Sequence, residues 1–465
     1  MLNVGLVSGV AGTALSAVGS VENAVFHPTV AEQYLGPSLG TAGTPGSCGA
    51  LQCYTPQEVQ QAYGFTSAYS AVGGYAKAGA GQTIVIFDAF GDPSVASNLA
   101  TFDSTFGIPA AHLNVICPAG CPTLDLSGDT NLSQDEIGWT DEITLDTQYS
   151  HAMAPAATID LVIAYNDSDT SILFAEQYAL AHHLGSIWSQ SFGSPECDFA
   201  TSAKFFAPNN LVYQQAARQG ITILASAGDL GAQFTCPTNS ASYPADNPNN
   251  IGVAGTYLNV KFAPGANVSS PFQSAPASYG HETTWNDFEN ATLVSDGLIF
   301  GGTGGAPSVD FSAPLYQALN KITPYTCTGA TPASCSAGAP YHPSGKVDAD
   351  VAYDAGVDGG VLGYYNVTGS AAGAGYYIFG GTSAGSPQWA AITAIADQFH
   401  HASLGNFAPA LYLLAPLLYL IGGLHDITVG SNAFEPGTGF EATKGFDATS
   451  GVGTPNVGVL IHWLS

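Results

Sequence analysis

A mostly parallel α/β sheet, flanked by helices and elaborated by long loops, is the architecture that this 465-residue sequence predicts. Two patterns predict it. From about Gln82 to Ala254, short β-rich runs alternate with helical segments, and parallel strands need such crossovers to connect them. Between about residues 230 and 375, Gly and Pro are dense, which places surface loops and hairpins there rather than a second domain. With 46% hydrophobic residues the chain has ample material for a large core.

The elements follow in order. Thr83–Phe87 is a buried strand that Asp88 ends. After the Gly-Asp-Pro turn at 91–93 comes a helix from about Ser94 to Phe106. A helix from about Ser133 to Met153 precedes a second strand, Thr158–Ala164. Ile172–Leu184 is helical, and Ser186–Gln190 starts a third strand. Asn209–Gln219 is a helix closed by Gly220, and Ile221–Ala225 and Asn250–Ala254 are further β runs. Tyr376–Phe379 is a strand that runs into Gly380-Gly-Thr-Ser383-Ala-Gly-Ser-Pro387 and then a helix over Gln388–Phe399. Residues 1 to about 45 are small, Gly-rich and weakly patterned, and read as a loose arm. No internal repeat is present.

Seven Lys plus Arg stand against 35 Asp plus Glu, and only 9% of residues are charged. Such a surface repels nucleic acid and anionic membranes, because nothing neutralises phosphates. Carboxyls with ordinary pKa values of about 4 are largely neutral near pH 3, so a chain with few bases then carries little net charge. Scarce bases also leave few ion pairs for acid to break. The composition is that of a protein adapted to acid.

Eight cysteines, at 48, 53, 117, 121, 197, 236, 327 and 335, point to disulfides and an oxidising compartment, with the connectivity open. Three pairs lie within single loops, and Cys197 and Cys236 remain. A zinc site would need partners at finger spacing that Cys117 and Cys121 lack. Asn-x-Ser/Thr sequons at Asn131, Asn166, Asn267, Asn290 and Asn366 fit a secreted glycoprotein. The apolar run Leu2–Val18 lacks the basic flank of a signal peptide, and Leu411–Ile421 is too short to span a bilayer and contains Pro416.

A serine at a Gly-flanked strand-to-helix junction is exposed to substrate and close to helix N-terminal N–H groups, which makes Ser383 a candidate nucleophile. Gly381-Thr-Ser383-Ala-Gly385 fits the elbow of α/β-hydrolases, and Asp397 with His425 or His462 would supply the order an esterase needs. The longer Gly-Thr-Ser-x-x-x-Pro string instead resembles the subtilisin-like clan, in which Asp88 sits where an Asp follows the first strand. No convincing histidine follows. In its place stands Glu142-Ile-Thr-Leu-Asp146, whose carboxyls share one helical face. His151 lies about 180° around the helix from Glu142. Taken alone, the Glu/Asp pair would be a solvated acidic face.

Glu142-x-x-Leu-Asp146 together with Gly-Thr-Ser383-x-x-x-Pro387 resembles the sedolisins, the serine-carboxyl peptidases of the subtilisin-like clan. Tyr54-Thr-Pro-Gln-Glu-Val59, Ser226-Ala-Gly-Asp229, Glu282-Thr-Thr-Trp285-Asn and Gly301-Gly-Thr-Gly-Gly305 match in the same order, over about residues 50 to 460. The resemblance implies a subtilisin-like fold, with residues 46–465 as the catalytic domain and 1–45 as an arm or propeptide remnant. It implies Ser383 as nucleophile, Glu142 as general base, Asp146 orienting it, Asp88 extending the network and Asp229 as oxyanion donor. Ser189-Gln-Ser-Phe192-Gly193 resembles the substrate-cleft segment, with Phe192 where some members have Trp. His425-Asp426-Ile427 and Thr443-Lys-Gly445-Phe-Asp447 resemble the family's Ca²⁺ site: carboxylates from Asp426 and Asp447, backbone oxygens from Ile427, Thr443 and Gly445. The implied activity is secreted, acid-active endopeptidase cleavage of protein or peptide substrates, with the chain's own propeptide as a partner before maturation. A tripeptidyl-peptidase, or a catalytically silent surface protein on the same scaffold, are the alternatives.

The chemistry agrees independently. At pH 3 to 4 an imidazole is protonated and cannot take a serine proton, whereas a carboxylate with a pKa of about 4 can. A neutral Asp229 could donate to an oxyanion; an ionised one would repel it.

Overall fold

The computed structural model describes residues 5–8, 25–37, 44–126, 131–199, 207–232, 236–269, 272–329, 334–366, 374–434 and 436–464, of 5–8 and 131–133 the backbone alone. Most of the apolar run Leu2–Val18 lies outside them.

The elements that build the site are, in chain order, strands β1 (Gly5–Ser8), β2 (His27–Pro28), β3 (Ala31–Gly36), β4 (Thr83–Ala89), β5 (His112–Cys117), β6 (Thr158–Ala164), β7 (Ile187–Gln190), β8 (Phe192–Pro195), β9 (Thr222–Ser226), β10 (Ile251–Phe262), β11 (Ala277–Thr284), β12 (Val351–Asp354), β13 (Gly360–Tyr365) and β14 (Gly375–Gly380). The helices are α1 (Val95–Phe106), α2 (Asn131–Met153), α3 (Asp169–His182), α4 (Ala207–Arg218) and α5 (Gly385–His400). The central sheet runs β1-β5-β6-β4-β7-β9-β10-β11, with β12 also paired to β10. Every pairing in it is parallel except β10 with β11, an antiparallel hairpin.

Strand alternation sorts the side chains. Ile84 and Ile86 of β4 join the core cluster that contains Leu99, Phe102, Ile143, Tyr149 and Trp389, so α1, α2 and α5 cover that face. Val85 and Phe87 join Ile172, Ala175, Trp188, Val212 and Tyr213, the cluster beneath α3 and α4. A sheet covered on both faces gives nearly continuous apolar strands, which is why β4 and β6 are legible from sequence. β5 was not anticipated; its six residues, HLNVIC, alternate poorly and carry a buried-strand pattern only at Leu113, Ile116 and Cys117.

The chain start differs from the reading of residues 1–45 as a loose arm. Within the described residues, β3 pairs antiparallel with β14, β14 with β13, and β2 pairs with β8. The reason is non-local: a weakly patterned segment becomes ordered when two strands far along the chain offer it free edges.

All eight cysteines are oxidised, as Cys48–Cys53, Cys117–Cys121, Cys197–Cys236 and Cys327–Cys335. This removes the zinc reading. Among the described residues no helix is long and apolar enough to cross a membrane. Leu411–Ile421 belongs to the helix Ala408–Ile421, with Pro416 inside it.

Candidate active site

Ser383 sits in a single 3-10 turn, Thr382–Ala384, between β14 and α5. The turn starts from Gly381 at φ +83°, where a side chain would strike the Thr29 carbonyl oxygen at 2.1 Å and Asp229 Oδ2 at 2.5 Å. Glycine here is a requirement of space as well as of backbone conformation. The Ser383 hydroxyl donates to Glu142 Oε2 at 2.7 Å and lies 3.2 Å from the Ser191 carbonyl oxygen.

Glu142 and Asp146 both come from α2. The acidic pair is no solvated face: each is fully buried, as are Asp88 at the end of β4 and Ser383 itself. Asp146 Oδ1 accepts the Ser191 hydroxyl at 2.7 Å. Among the described residues, no hydroxyl or N–H donates to Glu142 Oε1, Asp146 Oδ2 or either Asp88 oxygen. Burial is the main cause that raises all three carboxyls well above their ordinary range, and their mutual repulsion adds to it: Asp146 and Asp88 act on Glu142, and Asp146 on Asp88. Carboxyls so placed hold protons and can share them, so one can be charged while its neighbour is neutral.

On the other side of Ser383, Asp229 Oδ1 accepts the Thr382 N–H at 2.8 Å and the Thr382 hydroxyl at 2.7 Å. Burial outweighs these bonds and pushes Asp229 up to about 7. Its second oxygen and the Thr29 carbonyl oxygen both border the space that a Gly381 side chain would fill. In acid the second oxygen carries a proton, and Asp229 is then a hydrogen-bond donor.

The structure thus brings Ser383, Glu142, Asp146, Asp88 and Asp229 to one place. Ser191, Thr382 and Thr29 also belong to it, and the sequence did not single them out. Ser191 lies within the Ser189–Gly193 segment, which was the available signal. Thr29, whose hydroxyl lies 2.8 Å from Ser383 Oγ, is 354 residues away and left none. The histidines an esterase would need are elsewhere. His425 stacks on Tyr279, with ring centroids 3.6 Å apart, and His462 packs edge-on against Phe399. Asp397 Oδ1 accepts the Leu404 N–H. The hydroxyl of Ser383 is bonded to a carboxylate and to neither imidazole.

The C-terminal loop gathers Asp426 and Asp447. Both oxygens of Asp426 accept the Gly445 N–H, at 2.9 and 3.1 Å, and Asp447 Oδ2 accepts the Thr443 N–H at 2.9 Å. Among the described residues no group of three or more His, Cys, Asp or Glu side chains gathers to hold a metal ion. A cation here would therefore draw on backbone oxygens as well. The donor set is oxygen only, and Asp426 keeps lone pairs beyond those its single N–H partner uses, which suits a hard divalent ion.

The subtilase family model matches residues 135–409, more than half of the chain. Kumamolisin from Bacillus sp. (strain MN-32) is 29% identical over 387 residues, covering 82% of this chain and 58% of that protein. Sedolisin from Pseudomonas sp. (strain 101) is 25% identical over 430 residues, covering 90% of this chain and 62% of that protein. The chain therefore spans about three fifths of the length of these relatives. Among solved structures, Pseudomonas sedolisin, a serine-carboxyl proteinase complexed with two molecules of pseudo-iodotyrostatin, superposes with a TM-score of 0.65 at 23% identity. That match covers 89% of this chain and 98% of the other, and it shows the shared subtilisin-like fold. The resemblance to the sedolisins read from the motifs is borne out.

Proposed function

Since the chain belongs to the subtilase family, we propose that it is a secreted, acid-active serine-carboxyl endopeptidase whose catalytic domain spans residues 46–465. The observation that carries this reading is the 2.7 Å bond from the Ser383 hydroxyl to Glu142 Oε2, in a site of buried carboxyls where a subtilase would be expected to use an imidazole.

Ser383 Oγ attacks the carbonyl carbon of the scissile peptide, and Glu142 takes its proton. Asp146, held by Ser191, orients Glu142, and Asp88 shares the proton that keeps three adjacent carboxyls from ionising together. The developing oxyanion meets the Ser383 N–H and the protonated Asp229. Donors fixed before the reaction lower the barrier without reorganisation. Glu142 then protonates the leaving amine, which yields the acyl-enzyme. Water repeats the sequence to release the acid product.

The chain's own residues cross the serine from Val25, bridged to Ser168, to Gly36, paired with Tyr376, so the site accommodates peptide well to both sides of Ser383, which supports internal cleavage over removal of tripeptides. Cysteines all oxidised fit an extracellular site of action. Asp426 and Asp447, with backbone oxygens of Ile427, Thr443 and Gly445, would hold a structural Ca²⁺ that ties the last two turns together; it takes no part in the chemistry.

The test is hydrolysis of a denatured protein from pH 2 to 8 by wild type, Ser383→Ala and Glu142→Gln. Activity confined to acid and abolished by both substitutions is expected. Full acid activity in Glu142→Gln would remove Glu142 as the base.

A further inference from the structure

The helix Ala408–Ile421 reads APALYLLAPLLYLI, and a helix apolar around its whole circumference ordinarily lies inside a core. Only one side of this helix does. Ala408, Leu411, Tyr412, Ala415 and Leu418 are buried. On the opposite side Leu413, Leu417, Leu420 and Ile421 face solvent, with Leu413 81% and Leu420 82% exposed. The short helix Leu315–Ala318 packs against it through Tyr316 and Tyr412, whose ring centroids are 4.7 Å apart. The outward residues there are again leucines, Leu315 at 73% and Leu319 at 69% exposure. Together these six side chains present on the order of 600 Å² of apolar surface, the upper end for the largest patch of a monomer and near the roughly 800 Å² that each partner brings to a standard interface.

A bilayer fits this face poorly. A helix of 14 residues with Pro416 inside it is too short to span one. Helices that lie in the bilayer surface set Lys or Arg beside their apolar side, whereas no Lys, Arg, Asp or Glu occurs from 398 to 425.

A second copy of the chain fits it well. When two copies meet about a two-fold axis, a patch faces itself, so any net charge on it meets its like. With 35 Asp plus Glu against seven Lys plus Arg, a face of ordinary composition would bring carboxylates against carboxylates at neutral pH. The 408–421 helix brings none. Its Leu413, Leu417 and Leu420 stand at i, i+4 and i+7, the spacing with which one helix seats its side chains between those of another.

We propose that the protein pairs with a second copy of itself through this face, with the two 408–421 helices crossing about a two-fold axis, Leu413, Leu417 and Leu420 at the centre and Leu315 and Leu319 toward the rim. The pairing goes beyond the proposed peptidase function and does not depend on it.

Sedimentation velocity at pH 4 over a wide range of protein concentration tests it, in the Ser383→Ala background to prevent digestion during the run. The expected result is a mass that rises from one chain to two, with the midpoint in the micromolar range. Leu413→Arg with Leu420→Arg changes two side chains that are exposed in the single chain, so the fold should tolerate both. This double variant should weaken association by about 100-fold or more, and Leu413→Met with Leu420→Met should pair like the parent. The melting temperature of the parent should rise with protein concentration and that of the arginine variant should not, because only a two-chain native state is stabilised by mass action. A single chain at every concentration would overturn the pairing, as would a dimer that the arginines leave unchanged. Uncharged phosphatidylcholine vesicles supply the remaining arm. A monomeric parent that cosediments with them, and loses this with the arginines, would assign the face to lipid and overturn the pairing equally.

Discussion

Two sets of buried carboxyls in this molecule differ in what is aimed at them. Asp447, in the C-terminal loop, receives the N–H and hydroxyl of Thr449 and of Ser450 on one oxygen and the Thr443 N–H on the other. Among the described residues, Glu142 receives the Ser383 hydroxyl alone, and Asp88 receives no hydroxyl or N–H. Asp447, Glu142 and Asp88 are all fully buried. The first set is built to hold a carboxylate still; the second set leaves oxygens bare so that protons can pass between them. The difference is one of donors, not of exposure, and it separates a structural loop from a site of proton transfer.

Four predictions test this contrast, beginning with the largest effect. Glu142→Gln keeps the shape of the site and removes its base, and should lower kcat by about 10⁴-fold with little change in melting temperature, as steady-state kinetics and thermal unfolding would show. Retained kcat would mean that the bare oxygens are not the machinery.

The second concerns pH and folding. Asp92, Asp229, Asp348 and Asp397 are each raised from an ordinary 3.8 to about 7, with burial the first cause. A carboxyl raised on folding binds more protons in the native than in the unfolded chain. Its contribution is therefore complete below the unfolded value and lost as pH rises through the folded one. Stability should be highest near pH 3 to 4 and fall by several kcal/mol by pH 8, the reverse of ordinary acid denaturation. A melting temperature that rises from pH 4 to 8 would contradict the burial of these groups in neutral form.

Third, Asp229→Ala should lower kcat by about 10² to 10³-fold, the usual cost of one oxyanion donor. Asp229→Asn retains an N–H that can point at the oxyanion and should lose far less while extending activity toward neutral pH. Equal losses in the two variants would show that Asp229 does not act as a donor. Last, Asp447→Asn puts an amide N–H where donors converge on a carboxyl. It should cost about 2 kcal/mol of stability in chemical denaturation and leave the kcat of the folded protein unchanged. Added Ca²⁺ should raise the melting temperature of the wild type and not of this variant.

Much of the fold was legible because a doubly covered sheet writes itself as repeated apolar runs. Val95–Phe106, Asn131–Met153 and Gly375–Gly380 fall within about two residues of their expected bounds. The short, irregular His112–Cys117 strand was missed for want of such a run. In the site, Glu142 and Asp146 were legible as neighbours because four residues make one helical turn. Their burial was not, since the same spacing serves an exposed acidic face equally well.

By itself the sequence determined whatever depends on local spacing: the helix that carries two carboxyls on one face, the glycine-flanked turn that presents Ser383, and an acid-adapted composition. Only the tertiary structure decided what depends on meetings across the chain. It set Ser191 against Asp146 and Ser383, gave the cysteines their pairing, and laid Thr29 on a serine 354 residues away. Local pattern constrains which face a side chain takes on its own element. Which distant backbone edge a weakly patterned strand will join is settled by the hydrogen bonds and pockets that the finished fold offers it.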